Sequence, residues 1–180
     1  MRDKQTSIDL DRCISKISRN DQFALEELYR EYKNQIYRFA LMTLGDSGLA
    51  EDAMQSTFLK IMSAAGTYKL GTNANAWIFS IARNTCIDII KKKLPVSPDE
   101  TETERLTDSF TMDDAVESIA VKEAVAKLSE TEREIISLYL FGGLKQTEIA
   151  KIMGLPYVKV RSHYECAIKK LRKEFCKDDE

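Results

Sequence analysis

No apolar run in this 180-residue chain approaches the roughly 20 residues needed to cross a bilayer, which excludes a membrane-spanning helix. Its first residues, Met1-Arg2-Asp3-Lys4-Gln5, lack the apolar core of a signal peptide, so a cytoplasmic location is expected. The 4 cysteines, Cys13, Cys86, Cys166 and Cys176, show no Cys-x-x-Cys spacing. His163 and Cys166 share one helical face without a second ligand pair, so reduced thiols and no metal site are expected. Alternating apolar–polar runs and Asn-Gly turns are missing, which argues against β-structure. Catalytic signatures are missing as well: there is no Gly-x-x-x-x-Gly-Lys loop, no Gly-x-Ser-x-Gly elbow and no His-Glu-x-x-His pair. Glu51 and Asp52 are adjacent on a helix and so do not face each other. Neither an enzyme nor a cofactor is expected.

The formal charge of −2 conceals a strong division along the chain. Residues 1–93 carry 14 basic and 11 acidic side chains, net +3, and residues 117–180 carry 12 and 11, net +1. Between them, residues 94–116 carry 1 basic and 7 acidic, net −6. That middle stretch begins Leu94-Pro95-Val96-Ser97-Pro98-Asp99-Glu100 and offers too little apolar surface to fold alone. It reads as an acidic flexible linker between two small helical domains, 1–93 and 117–180, which are expected to move relative to each other.

The fold class is all-α. From Phe23 to Leu44 the apolar positions recur at helical spacing, with Asp21 as N-cap and Gly45 and Gly48 breaking the helix. Helices are expected over Leu49–Ala64 and Ala76–Lys93, separated by a polar loop ending in Thr72-Asn73-Ala74-Asn75. After the linker, Asp113–Leu128 forms a helix, and Ser129-Glu130-Thr131-Glu132 is a capping box opening another that ends at Gly142-Gly143. The last third is the most specific: Gln146–Leu155 leads through Pro156 into a long helix carrying Lys159, Arg161, Lys169, Lys170 and Arg172. Alanine at 150 permits close helix approach, Gly154 tolerates a left-handed turn, and Val160 packs back on the first helix. That is the outline of a helix-turn-helix, whose second helix can enter the DNA major groove.

These segments resemble bacterial RNA polymerase sigma factors of the extracytoplasmic-function group. The likeness rests on Phe23, Leu28-Tyr29, Tyr32, Ile36-Tyr37 and Ala50-Glu51-Asp52-Ala53-Met54-Gln55-Ser56-Thr57-Phe58-Leu59. It continues through Trp77-Ile78-Phe79-Ser80-Ile81-Ala82-Arg83-Asn84, Asp88, Lys91-Lys92-Lys93, Leu128–Glu134 and the helix-turn-helix, in the family's order.

The resemblance implies an alternative sigma factor that binds core RNA polymerase and promoter DNA. It also implies control by an anti-sigma factor, often one anchored in the membrane. By this likeness the polymerase-docking residues are Glu51, Asp52, Gln55, Phe58 and Leu59, although Phe58 and Leu59 fit a core role equally well. The loop with Thr72, Asn73 and Asn75 would hold a flipped base of the −10 element, with Arg83, Asn84, Lys91, Lys92 and Lys93 on DNA. Trp77 fits core better than base stacking, and the lysine run also fits a solvated helix end. The −35 element would meet Tyr157, Lys159, Arg161, Ser162, His163 and Lys169. Val158-Lys159, His163, Cys166 and Lys145 depart from the family's usual residues, which bears on promoter specificity and phosphate affinity. An operator-binding regulator without polymerase, or a degenerate sigma-like partner-binding protein, would share parts of this pattern.

Overall fold

The computed structural model describes residues 9–93 and 119–175, which form helices without a strand. The acidic stretch 94–116, the start of the helix expected from Asp113, and Cys176 lie outside the described residues.

The first helix, α1 (Leu10–Ile17), was not anticipated. Asp9 caps it by accepting from the Arg12 N–H at 3.2 Å, and Cys13, Ile14 and Ile17 turn inward at helical spacing. Asp21 caps α2 (Gln22–Leu44), accepting from the N–H groups of Phe23 and Ala24. Gly45 ends it with φ 72°, a left-handed turn that favours glycine, and its N–H returns to the Leu41 carbonyl. Gly48 is not a breaker: it sits in the first turn of α3 (Ser47–Ala64), which Asp46 caps through the Leu49 N–H. A single 3₁₀ turn, Ala65–Thr67, leads to the polar loop and then to α4 (Ala74–Lys93). This helix starts earlier than expected because Asn73 Oδ1 accepts from the Ala76 N–H at 3.0 Å, making Asn73 the cap. Ala74 and Asn75 therefore belong to the helix, not the loop.

Leu28, Ile36, Phe39, Ile61, Ile78 and Phe79 are fully enclosed between α2, α3 and α4. Each such side chain contributes about 1.5–3 kcal/mol through removal from water. Phe39 and Phe79 meet edge to face, with centroids 5.7 Å apart, the arrangement the ring quadrupoles favour.

The second set comprises α5 (Ile119–Ala126), α6 (Glu130–Leu140), α7 (Gln146–Met153) and α8 (Tyr157–Phe175). The expected capping box is formed: Ser129 Oγ accepts from the Glu132 N–H, and the Ser129 N–H donates to Glu132 Oε2 at 2.8 Å. Lys170 also reaches Glu132 Oε2, at 2.7 Å, so this lysine ties α8 to α6. Burial pushes the Glu132 carboxyl up, but Lys170 and the Ser129 N–H outweigh it and hold the group below its usual value. Gly154 has φ 66° between α7 and α8, while Ile149 and Val160 close the helix-turn-helix core.

The two domains meet in the structure, where free relative movement was expected. Helix α2 packs against α6, and α4 touches α7. One apolar cluster runs from Ile14, Phe39 and Phe79 to Ile135, Leu138, Leu144 and Ile149.

Candidate functional site

Helix α3 turns Ala50, Ala53, Met54, Thr57, Phe58 and Ile61 inward, and its exposed positions define the outer face. Glu51, Asp52, Gln55, Leu59 and Met62 are exposed there, spaced so that they form one stripe along the helix. Leu59 is 63% exposed whereas Phe58 is only 6% exposed and stacks against Tyr29 at 4.9 Å between centroids. Phe58 is thus corrected to a core role that holds the stripe from beneath. Sequence reading missed Met62 and Phe23, the latter 83% exposed. Met62 borders, with Ile17 and Leu25, a shallow cavity of about 100 Å³. Their apolar character fitted a helical core pattern, so exposure could not be read from periodicity alone.

The loop before α4 is anchored by a helix that the sequence did not reveal. Asp11 of α1 accepts from the Gly71 N–H at 3.1 Å and from the Tyr68 hydroxyl. Gly71 has φ 79°, which allows the chain to turn there, and Thr72 bonds back to the Lys69 carbonyl. Trp77 is half-buried and tilted against Tyr68, 5.2 Å between centroids, in keeping with its core reading.

The two asparagines are both engaged. Asn73 caps α4 through Oδ1 and donates from Nδ2 to Glu148 Oε1 of α7 at 2.5 Å. Asn75 Oδ1 accepts from the Tyr32 hydroxyl, whose pKa burial pushes up to about 12. About two helical turns further, Arg83 Nε donates to Glu134 Oε1 of α6 at 2.6 Å, with the side chains only 19% and 14% exposed. Burial raises the Glu134 carboxyl, and Arg83 offsets this only in part. Asn84, Lys91 and Lys92 are exposed. Lys60 bonds Asp88 at 2.6 Å, joining α3 to α4. A cavity of about 160 Å³ lies beside the Arg83–Glu134 pair, lined by Thr43, Ile87, Ile90 and Arg133 among others.

On α8, Val160 and Ala167 face inward. Tyr157, Val158, Lys159, Arg161, Ser162 and Lys169 are exposed, and His163 is half-buried. Arg161 is held by Glu165 one turn later, at 2.9 Å. Lys145 opens α7 without a side-chain cap, since an ammonium has no acceptor. Glu148 supplies what the lysine cannot, accepting from the Lys145 N–H at 2.8 Å. Cys166 is exposed, while Cys13 and Cys86 are buried and their thiols pushed up to about 11 and about 12 by burial. Among the described residues, no helix is long and apolar enough to cross a membrane.

Comparisons with known proteins agree with this geometry. Residues 28–94 match sigma-70 region 2 and residues 118–171 match sigma-70 region 4. The ECF RNA polymerase sigma factor SigW of Bacillus subtilis is 27% identical over 89% of this chain and 94% of its own length. Among solved structures, CnrH in complex with the cytosolic domain of CnrY superposes with TM-score 0.70 at 22% identity, covering 94% of this chain and 99% of CnrH. The sigma factor RpoE of Bartonella quintana, in complex with the anti-sigma factor NepR, gives TM-score 0.64 at 21% identity, over 85% and 97% of the two chains. Two sigma-70 regions in tandem, on this fold, place the chain in its family: it belongs to the extracytoplasmic-function sigma factors and is an alternative sigma factor that recognises promoters.

Proposed function

We propose that α3 docks the chain on core RNA polymerase through Glu51, Asp52, Gln55 and Leu59, with Met62 extending the apolar edge. The observation that supports this most is the single outward stripe of carboxylates, amide and apolar side chains on α3. Such a surface combines charge pairing with buried apolar area, the usual anatomy of a specific interface. Thr72, Asn73 and Asn75, with Arg83, Asn84 and the lysines at 91–93, receive the −10 element, where a basic helix beside amide donors suits an opened strand. Helix α8 reads the −35 element through Tyr157, Lys159, Arg161 and Ser162, which leave the bundle toward solvent. His163, half-buried, lines the edge of that face, and Lys169 lies further along it near phosphates. The acidic segment 94–116 tethers the two domains. Catalysis is left to the polymerase, and the chain acts in the cytoplasm. An anti-sigma factor is the inhibitory partner in this reading; RpoE was solved with such a protein.

Run-off transcription tests the reading directly, with core polymerase and genomic promoter fragments, with and without the chain. Start sites that require the chain, and that vanish when Asp52 and Gln55 are both changed to alanine, are expected. Absence of polymerase binding by the unaltered chain would remove the reading.

A further inference from the structure

We infer that Asp11 is a positioning residue for −10 recognition: its carboxylate fixes the turn over residues 69–72 and so sets the stance of Thr72 and Asn73 before DNA arrives. This rests on the −10 reading of that loop given above. Asp11 touches no base in this scheme; it acts through Gly71 and Tyr68.

Both oxygens of this carboxylate serve the loop. Oδ1 accepts from the Tyr68 hydroxyl and Oδ2 from the Gly71 N–H at 3.1 Å, reaching across from another helix. The chain makes a tight turn here. The Thr72 N–H donates to the Lys69 carbonyl at 3.2 Å, and Gly71, third of the four residues, has the positive φ of 79° that a type II turn takes there. Two donors converging on one anion resist rotation of the turn about its ends. Hydrogen bonds to a carboxylate are also roughly twice as strong as those between neutral groups. Tyr68 passes the restraint on to α4. Its ring packs on Trp77 in that helix's first turn, and its hydroxyl lies 2.9 Å from the Thr72 carbonyl oxygen.

Nothing in the turn itself supplies this anion. Lys69, Leu70, Gly71 and Thr72 bear no carboxylate, and α1 lies ahead of the residues 28–94 that match region 2. The brace thus comes from outside the body that the family model describes. Helix α1 does not need Asp11 as its cap, a place that Asp9 holds, and it docks through Cys13, Ile14 and Ile17. A carboxylate in the first turn does favour the helix dipole, so a second variant must leave α1 untouched. Tyr68→Phe is that variant: it keeps a ring against Trp77 and removes only the hydroxyl. The functional consequence follows from populations. A loop that samples other stances binds an unstacked base with an affinity reduced by the fraction in the right one, and ordering it in advance removes that reduction.

The test uses the full chain bound to core RNA polymerase and a promoter fragment that run-off transcription selects. Two probes are made from that fragment. One is a fork with a single-stranded −10 strand and no −35 element; the other is a duplex carrying the −35 element alone. Asp11→Ala and Tyr68→Phe are each expected to weaken binding of the fork about five- to tenfold and to leave binding of the −35 duplex unchanged. Combined, they should lose less than the product of the two, because Tyr68 acts through Asp11. Amide hydrogen exchange should quicken over residues 68–73, while the urea midpoint of Tyr68→Phe stays where it was. Equal losses on both probes would overturn the proposal, since a merely loosened fold gives that result. Unchanged exchange would overturn it too, as would faster exchange with fork binding intact. The unaltered chain tests the underlying reading. If it does not bind the fork, the −10 assignment itself falls, whereas fork binding that survives both substitutions sinks only the role of Asp11.

Discussion

At position 58 a phenyl ring lies against Tyr29 inside the bundle, and at position 59 a leucine stands in solvent. The two are neighbours in sequence but differ by about 100° around the helix, which decides what each can do. Phe58→Ala empties part of the α2–α3 packing and is expected to cost about 3–5 kcal/mol of stability, read as a lower urea midpoint. Leu59→Ala removes nothing the fold uses, so stability should stay within about 0.5 kcal/mol. Its polymerase affinity should instead fall by about fivefold or more, as truncating an apolar anchor at an interface does. Equal stability losses for both would mean that the stripe on α3 is drawn wrongly. The same contrast separates Lys169, exposed, from Lys170, which bonds the buried carboxylate of Glu132. Two adjacent lysines look identical in sequence; only the neighbouring helix distinguishes them.

At the scale of elements, two glycines at the ends of helices make different demands. Gly154 turns between α7 and α8 at φ 66°, and a Cβ built there meets nothing within 4 Å. Gly154→Ala therefore carries only the backbone penalty of a left-handed residue, about 1–2 kcal/mol. Gly142 follows α6, and a Cβ there would lie 2.6 Å from the Leu138 carbonyl oxygen and 3.1 Å from a Leu144 side-chain carbon. Backbone must move to admit it, so Gly142→Ala should destabilise more than Gly154→Ala, measured side by side by urea unfolding. The reverse order would show that the α6–α7 turn relaxes freely.

These elements also mark how far the sequence could be read. Local chemistry was legible: Asp21 and Ser129 cap as their residue types suggest, Gly154 adopts the left-handed turn, and Val160 fills the helix-turn-helix. Helix α1 escaped notice because its 8 residues offer a single apolar stripe, Leu10, Cys13, Ile14 and Ile17, inside a polar segment. Asn73 looked like a loop amide and proved to be a helix cap, a distinction that depends on where its neighbour's N–H points. Arg83 and Glu134 are 51 positions apart, and no local pattern announces that they meet. Long-range polar pairs of this sort follow from how two apolar faces dock, which sequence periodicity does not encode.

At the scale of the whole molecule, the polar seam between the domains has a pH dependence whose sign tests its physics. Two charged groups bear on Glu134, Arg83 of α4 and Glu130 of its own helix, and both line the same cavity as Arg133. If the Arg83 attraction dominated, the closed-form carboxyl would sit below its ordinary value, and acid would open the seam. Burial dominates instead and raises it above the reference value of 4.5, with Glu130 adding to the rise and Arg83 opposing it. In the open form the carboxyl returns to water and its ordinary value. The closed form thus holds the proton more tightly, so its favourable contribution is full below the ordinary value and is lost as pH rises through the raised one. Small-angle scattering of the full chain should accordingly show the radius of gyration shrinking as pH is lowered toward the carboxyl's ordinary value of 4.5. Glu134→Gln cannot titrate and should flatten that response. Acid expansion of the unaltered chain over the same range, abolished by the same substitution, would mean that the ion pair and not burial governs the seam.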